Sequence, residues 1–196
     1  MDLEDIKKNY SQFDDAKIKD LAKFEVRSLR KEVVPVLIEE IKKRNLPEEL
    51  LLGIESQLRV PTSQELIQYC TLINSIPCPK CKSKTQKLNG IVLREVVSFF
   101  IMTTTYTHSK IACPNCLETY KNAANSKTIL LGWWSPAGII STIQSLIKNG
   151  KMSAEIRMHE PNAVLKSFVY QNIGAIETDK DNIAKLSNLL EVYNAK

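Results

Sequence analysis

The chain has 196 residues, of which 25% are charged and 43% hydrophobic, and its net charge is +5. That length allows one domain or a small module joined to a helical one; the composition excludes extensive disorder, and the chain is long enough to build a core without metal. The charge is uneven: residues 1–77 carry 12 Lys/Arg against 14 Asp/Glu, residues 78–127 carry 8 against 2, and residues 128–196 carry 7 against 6.

The acidic start Met1-Asp2-Leu3-Glu4-Asp5 lacks the apolar stretch of a secretory signal and the basic character of a mitochondrial presequence. Five cysteines, four of them in C-x-x-C pairs, suit a reducing compartment better than a disulfide framework, so a cytoplasmic protein is expected.

The first third, residues 1–76, reads as helical. Asp14 or Asp15 can cap a helix whose apolar face is Ile18, Leu21 and Phe24. A second helix is expected from Arg30 to Arg44, with Val34, Leu37, Ile38 and Ile41 on one side and Pro35 near its first turn. Lys42, Lys43 and Arg44 complement the negative end of its dipole and read as a solvated helix end. A third helix runs from Pro47 to about Leu58 with Leu50, Leu51, Ile54 and Leu58 inward. Thr62-Ser63-Gln64-Glu65 has the form of a capping box opening a fourth helix to about Asn74. Cys70 falls on its apolar face with Leu66 and Ile73 and reads as a small core hydrophobe.

From residue 77 to 127 the pattern changes to a β region. Asn89-Gly90 is a two-residue hairpin signal between Lys87-Leu88 and Ile91-Val92-Leu93. Val96 to Thr107 is rich in β-branched and aromatic residues and reads as the following strand, with apolar residues on both alternating faces.

The C-terminal segment, residues 128–196, opens with a charge-free run from Thr128 to Ile147 containing Gly132-Trp133-Trp134-Ser135-Pro136. Ser135 can cap a helix with Pro136 at its first position, ended by Gly150, a length short of a membrane span. Its stripe of Ile139, Ile140, Ile143, Leu146 and Ile147 is expected to pack inward. Two further helices are expected, from Pro161 to about Asn172 and from about Lys180 to Tyr193, the latter capped by Thr178 or Asp179 with Ile183, Leu186, Leu190 and Tyr193 inward.

The chemistry is concentrated in Cys78-Pro79-Lys80-Cys81 and Cys113-Pro114-Asn115-Cys116. Each pair places two sulfurs on one tight turn, and two such knuckles at the base of a β-hairpin can bring four thiolates into the tetrahedron that zinc prefers. A structural Zn2+ held by Cys78, Cys81, Cys113 and Cys116 is therefore expected, with thioredoxin-like redox chemistry and an iron–sulfur cluster as the rivals. Four thiolates close the shell, so the site is not expected to be catalytic. His108 reads as a turn residue and His159 as a surface or capping residue. Glu39-Glu40 and Glu48-Glu49 read as solvated charges, and no catalytic motif is present, so a non-enzymatic protein is expected. Lys80, Lys82, Lys84, Lys87 and Lys110 can offset the negative charge of a four-thiolate site, with some basic excess left over.

The stretch Ser28-Leu29-Arg30-Lys31-Glu32 to Arg44, the two C-P-x-C knuckles, and Leu131-Gly132-Trp133-Trp134-Ser135-Pro136 followed by Thr142-Ile143-Gln144 resemble parts of small uncharacterised bacterial proteins. Those combine a zinc-ribbon-like region with a G-W-W element. Ser135-Pro136-Ala137-Gly138 stands where a further glycine and aromatic residue would be expected. The resemblance implies architecture and a bacterial setting rather than an activity.

The expected fold is α+β: N-terminal helices, a zinc-ribbon-like hairpin region and C-terminal helices. The expected function is a zinc-stabilised module that binds a protein partner, an inhibitor or immunity-type partner of a toxin being one case. The alternatives are nucleic-acid binding through Lys82, Lys84 and Lys87, and contact with a membrane surface through Trp133 and Trp134.

Overall fold

A computed structural model describes residues 2–158 and 160–195; His159 lies outside the described residues. The fold is α+β, a two-stranded antiparallel hairpin with helices before and after it. The chain divides into two compact units, one of residues Met1–Tyr69 and Phe168–Leu186, the other of Cys70–Ser167 and Ser187–Lys196. Among the described residues no helix is long and apolar enough to cross a membrane.

The first unit is helical throughout: α1 (Leu3–Gln12), α2 (Asp15–Asp20), α3 (Val34–Lys43), α4 (Glu49–Leu58) and α9 (Ile173–Thr178), with parts of α5 (Ser63–Asn74), α8 (Ala163–Gln171) and α10 (Ile183–Ala195). Ile6, Ile18, Leu37, Ile41, Leu50 and Ile54 are among the side chains buried in one continuous core. Helix α1 has its own capping box between Asp2 and Asp5, a polar signal that the apolar spacing does not reveal. Asp14 caps α2 by accepting from the Lys17 N–H at 2.7 Å. After α2 the chain widens into a π-turn, Leu21–Glu25. The extra residue rotates the succeeding side chains about the helix axis, so Ala22 and Val26 are buried while Phe24, expected inside, faces out. Gln57 Nε2 reaches the Ala22 carbonyl inside that turn at 2.7 Å.

Two charges expected at the surface are structural. Arg44 donates to the carbonyls of Phe13, Tyr10 and Ser11 at 2.6, 2.9 and 3.2 Å, and to Glu40 and Asp15 at 2.7 and 3.0 Å. It thereby satisfies orphan carbonyls at the end of α1. Glu40 is correspondingly buried, whereas Glu39, Glu48 and Glu49 are not. The Thr62–Glu65 capping box forms, with the Thr62 N–H donating to Glu65 at 2.7 Å and the Glu65 N–H to Thr62 Oγ1 at 3.2 Å. Cys70 and Ile73 are buried on α5, and Leu58 at the end of α4 is exposed.

The second unit is built on the ribbon of β1 (Asn89–Phe99) and β2 (Met102–Ala112), paired from Asn89↔Ala112 to Phe99↔Met102. The turn is therefore Phe100-Ile101, not Asn89-Gly90, and the expected single strand over Val96–Thr107 is folded back on itself. Phe100 takes φ 50 to make the turn, a left-handed conformation ordinarily left to glycine or asparagine. Gly90 has no positive φ; its lack of a side chain serves close packing, since a Cβ there would lie 2.5 Å from Val164. Asn89 meanwhile donates to the carbonyls of Met158 and Glu160 at 3.3 and 3.2 Å, pinning the connection between two helices to the foot of β1.

Helix α6 (Pro114–Leu131) runs from the foot of the ribbon along β1 to its far end, and α7 (Pro136–Ile156) returns. The β reading of residues up to 127 is thus corrected: the chain is helical from Pro114. Helix α7 continues through Gly150, where a Cβ would meet open space, so that glycine costs helix propensity without ending the helix.

The faces of α7 are opposite to expectation. Ile139, Ile140, Ile143 and Ile147 are exposed, while Thr142, Ser145 and Asn149 are fully buried. For Asn149 the reason lies in β1, an edge strand whose outward N–H and C=O groups need partners. Asn149 accepts from the Arg94 N–H at 3.0 Å and donates to the Arg94 carbonyl at 2.9 Å. Asn162 does the same at Gly90, at 3.3 and 2.6 Å, and Thr128 accepts from the Val96 N–H at 3.1 Å. On the opposite edge Asn194 pairs with both backbone groups of Ile111 at 2.7 Å. The two helices expected after Pro161 are α8 and α10, both of which start later than expected, and α9 between them was not expected; α10 is opened by Asn182, which accepts from the Lys185 N–H, while Asp179 pairs with Lys23 and Lys185. On α10 Leu186 and Leu190 are buried and Ile183 is exposed.

Candidate metal centre

The register that sets Ala112 opposite Asn89 brings the residues flanking the ribbon together at its foot. The first knuckle is a tight loop. The Cys78 carbonyl accepts from the Lys82 N–H at 2.8 Å, the Cys78 N–H donates to Ser83 at 2.8 Å, and Lys82 closes the loop at φ 59. The second knuckle differs in kind: Cys113 is the N-cap residue of α6, Pro114 opens the helix, and Cys116 lies in its first turn. Proline fits there because its missing N–H has no partner to lose.

The four sulfurs of Cys78, Cys81, Cys113 and Cys116 all lie within 4.8 Å of one another, and Cys81 Sγ is 3.7 Å from Cys113 Sγ. A tetrahedral four-thiolate site with metal–sulfur bonds of ~2.3 Å requires sulfur–sulfur separations of about 3.8 Å. The cluster has the size to hold a metal ion, and no disulfide joins its members. Three of the cysteines are buried and Cys81 is exposed.

The electrostatics favour the thiolate at Cys78. Burial raises the Cys78 thiol, but hydrogen bonds from the backbone N–H groups of Cys113, Cys81 and Lys80 outweigh it and bring the thiol down to about 7. Burial pushes Cys113 and Cys116 up, and the adjoining thiols hold their protons against a second ionisation. A cation at the centre reverses that penalty. The N-terminus of α6 adds its positive dipole end beside Cys113 and Cys116. Burial and the negative charge of Cys116 and Cys78 raise the Tyr120 phenol, and the Lys80 ammonium lies 4.2 Å over the Tyr120 ring.

The remaining site residues fall at two places. Lys82, Lys84 and Lys87 are exposed near the knuckles, Lys82 paired with Glu191, and Lys110 donates to the Asn194 carbonyl. Of the aromatic residues on the ribbon that a single-stranded nucleic acid could stack on, Phe99 and Phe100 are at the other end from these lysines, about 34 Å away at the rise of an extended strand, and Tyr106 is partway along it, opposite Glu95.

Trp133 and Trp134 lie at that far end, in the α6–α7 turn. Ser98 holds the turn to the ribbon, accepting from the Trp134 N–H at 2.9 Å and donating to the Leu131 carbonyl at 3.2 Å. Thr103 and Ser135 hydroxyls meet at 2.6 Å. Around this junction Phe99, Phe100, Ile101 and Met102 are each at least 70% exposed, and Trp134 is 67% exposed. Turn propensity points to Asn89-Gly90 and so hides this tip. The available signal is the length of the run Val96–Thr107, well beyond an average strand of 5–6 residues.

No protein-family model, no curated protein and no solved structure matches the chain.

Proposed function

We propose that this chain is a non-enzymatic binding protein in which zinc staples the foot of the ribbon and the uncharged apolar end is the surface that meets its partner. Thiolate ligands favour zinc or an iron–sulfur cluster, and a single tetrahedron of four sulfurs fits one zinc ion. The fourth cysteine fills the position that a catalytic zinc keeps open for water or substrate, which supports a structural role.

The observation that carries the binding reading is the outward stripe of α7. Ile139, Ile140, Ile143 and Ile147 face away from the unit and, with the ribbon tip and the tryptophans beside it, form an apolar surface of a kind that monomeric proteins rarely leave uncovered. Metal analysis of purified protein tests the staple: one zinc per chain is expected, lost in Cys113→Ser. A photo-crosslinking residue in place of Ile101 tests the surface. Irradiation of cells should trap a covalent adduct at 101 and none from the same residue at Val60, an exposed apolar position of the other unit. No adduct at 101 would remove the binding reading.

A further inference from the structure

We propose that the occupant of the apolar end is a lipid bilayer with anionic headgroups, which the protein enters from one side without crossing it. The proposal rests on the binding reading above and names the partner of the same surface.

Two segments build this end, and neither Val96–Thr107 nor Thr128–Ile147 contains an Asp, Glu, Lys or Arg. Ser98, Ser135 and Thr103 tie them into one surface. Protein interfaces ordinarily set an apolar core inside a polar, partly charged rim, and these two segments contribute no charge to one. Its shape is also wrong for a groove: Phe100 and Ile101, 73% and 92% exposed, project at the tip of a two-stranded ribbon. A projecting wedge of Phe, Ile and Met loses little hydration and gains apolar burial when it enters acyl chains. Trp133 and Trp134 lie beside it, at the depth where indole rings concentrate at membrane interfaces.

Of the flanking charges, Glu95 and Lys127 pair with each other, and the charge that α7 adds is of the matching sign. Along α7 the outward stripe runs Ile140, Ile143, Ile147 and then Lys151, with Lys148 alongside, and both lysines are exposed. Lys148 lies about 12 Å beyond Ile140 at the helical rise. With the tip and the first turns of α7 at the acyl boundary, these ammonium groups come to the phosphate layer, where each is worth about 1 kcal/mol on an anionic surface. The absence, among the described residues, of any helix able to span a membrane fits a protein that lies on the bilayer.

The test is flotation of the zinc-loaded full chain with phosphatidylcholine vesicles, with and without phosphatidylglycerol. Both tryptophans of the chain are at this site, so their fluorescence reports on it alone. The expected result is flotation with the anionic vesicles and a blue shift of tryptophan emission. Ile101→Asp should lower partitioning roughly tenfold or more, and Lys148→Gln with Lys151→Gln roughly fivefold per site on anionic vesicles only. Val60→Asp should change nothing. Because Ile101 is almost wholly exposed, its variant is expected to melt like the parent; Trp134→Ala provides a second variant on the same surface. Wild-type protein that stays at the bottom with both vesicles overturns the proposal, as does an Ile101→Asp variant that floats equally well. Absence of flotation, with a dimer in sedimentation equilibrium that Ile101→Asp dissociates, would also overturn it. That last result assigns the surface to a second copy and leaves the binding reading standing.

Discussion

The side-chain amide of Asn149 stands where a neighbouring strand would stand beside Arg94, accepting from its N–H and donating to its carbonyl. A third bond, from Asn149 Nδ2 to Asn125 at 2.8 Å, fixes the amide. This explains why a helix with an isoleucine stripe turns that stripe to solvent. Burying the isoleucines would leave the strand edge without partners, at about 1–3 kcal/mol for each unpaired group.

Asn149→Leu should therefore destabilise the protein by about 3 kcal/mol, although leucine is the more apolar residue. Ile147→Ser, on the exposed face, should change stability by less than about 0.5 kcal/mol. Thermal or urea unfolding of the two variants side by side checks both, and the reverse order would mean that α7 packs by its isoleucines.

Arg44→Lys should cost roughly 2–3 kcal/mol, because an ammonium cannot reproduce the planar fork that reaches three carbonyls and two carboxylates. Urea unfolding should show a lower midpoint with an unchanged slope.

The capping box of α5 gives a pH dependence with a definite sign. Hydrogen bonds from the Thr62 backbone, Arg59 and the Thr62 hydroxyl lower the Glu65 carboxyl below its ordinary 4.5. A depressed carboxylate contributes stability that is present above its unfolded pKa and lost as pH falls through the folded value. The difference in melting temperature between wild type and Glu65→Gln should be constant at neutral pH and shrink below about pH 4.5. A difference that persists at pH 2 would show that the carboxylate charge contributes nothing.

Phe100→Gly separates stability from binding. It removes a left-handed conformation that costs an L-residue roughly 1–2 kcal/mol, against about 0.5–1 kcal/mol for the freedom glycine loses on folding. The variant should be as stable as wild type or more stable by up to about 1 kcal/mol, yet float less well with anionic vesicles. Equal flotation would place the membrane contact away from the ribbon tip.

The cluster of Cys78, Cys81, Cys113 and Cys116 was legible because C-x-x-C pairs are local and their chemistry is narrow. Helices α2, α3 and α4 were legible from apolar spacing, as at Ile18, Leu37 and Ile54, whereas α1 and α6 were not. Three further features misled. Asn89-Gly90 carries a strong turn signal, but here the pair lies in a strand, Asn89 used for its amide and Gly90 for its small size. Phe100-Ile101 carries no turn signal and makes the turn. Helix α7 misleads because periodicity identifies a two-sided helix without saying which side meets the protein, and the strand edge at Arg94 needs the amide of Asn149, which no isoleucine could replace.

The amide that completes the ribbon edge also has a chemical lifetime. Asn149 is followed by Gly150, a pair in which the glycine backbone nitrogen readily attacks the side-chain carbonyl, expelling ammonia to form a cyclic imide that water then opens to aspartate or its isomer. In the fold Asn149 is fully buried and both ends of its amide are engaged, so the ring cannot close. In an unfolded chain it can, and the resulting carboxylate accepts hydrogen bonds but cannot donate one to the Arg94 carbonyl. Time spent unfolded therefore erodes the ability to refold, and a protein whose edges are sealed by asparagine ages only when it is open.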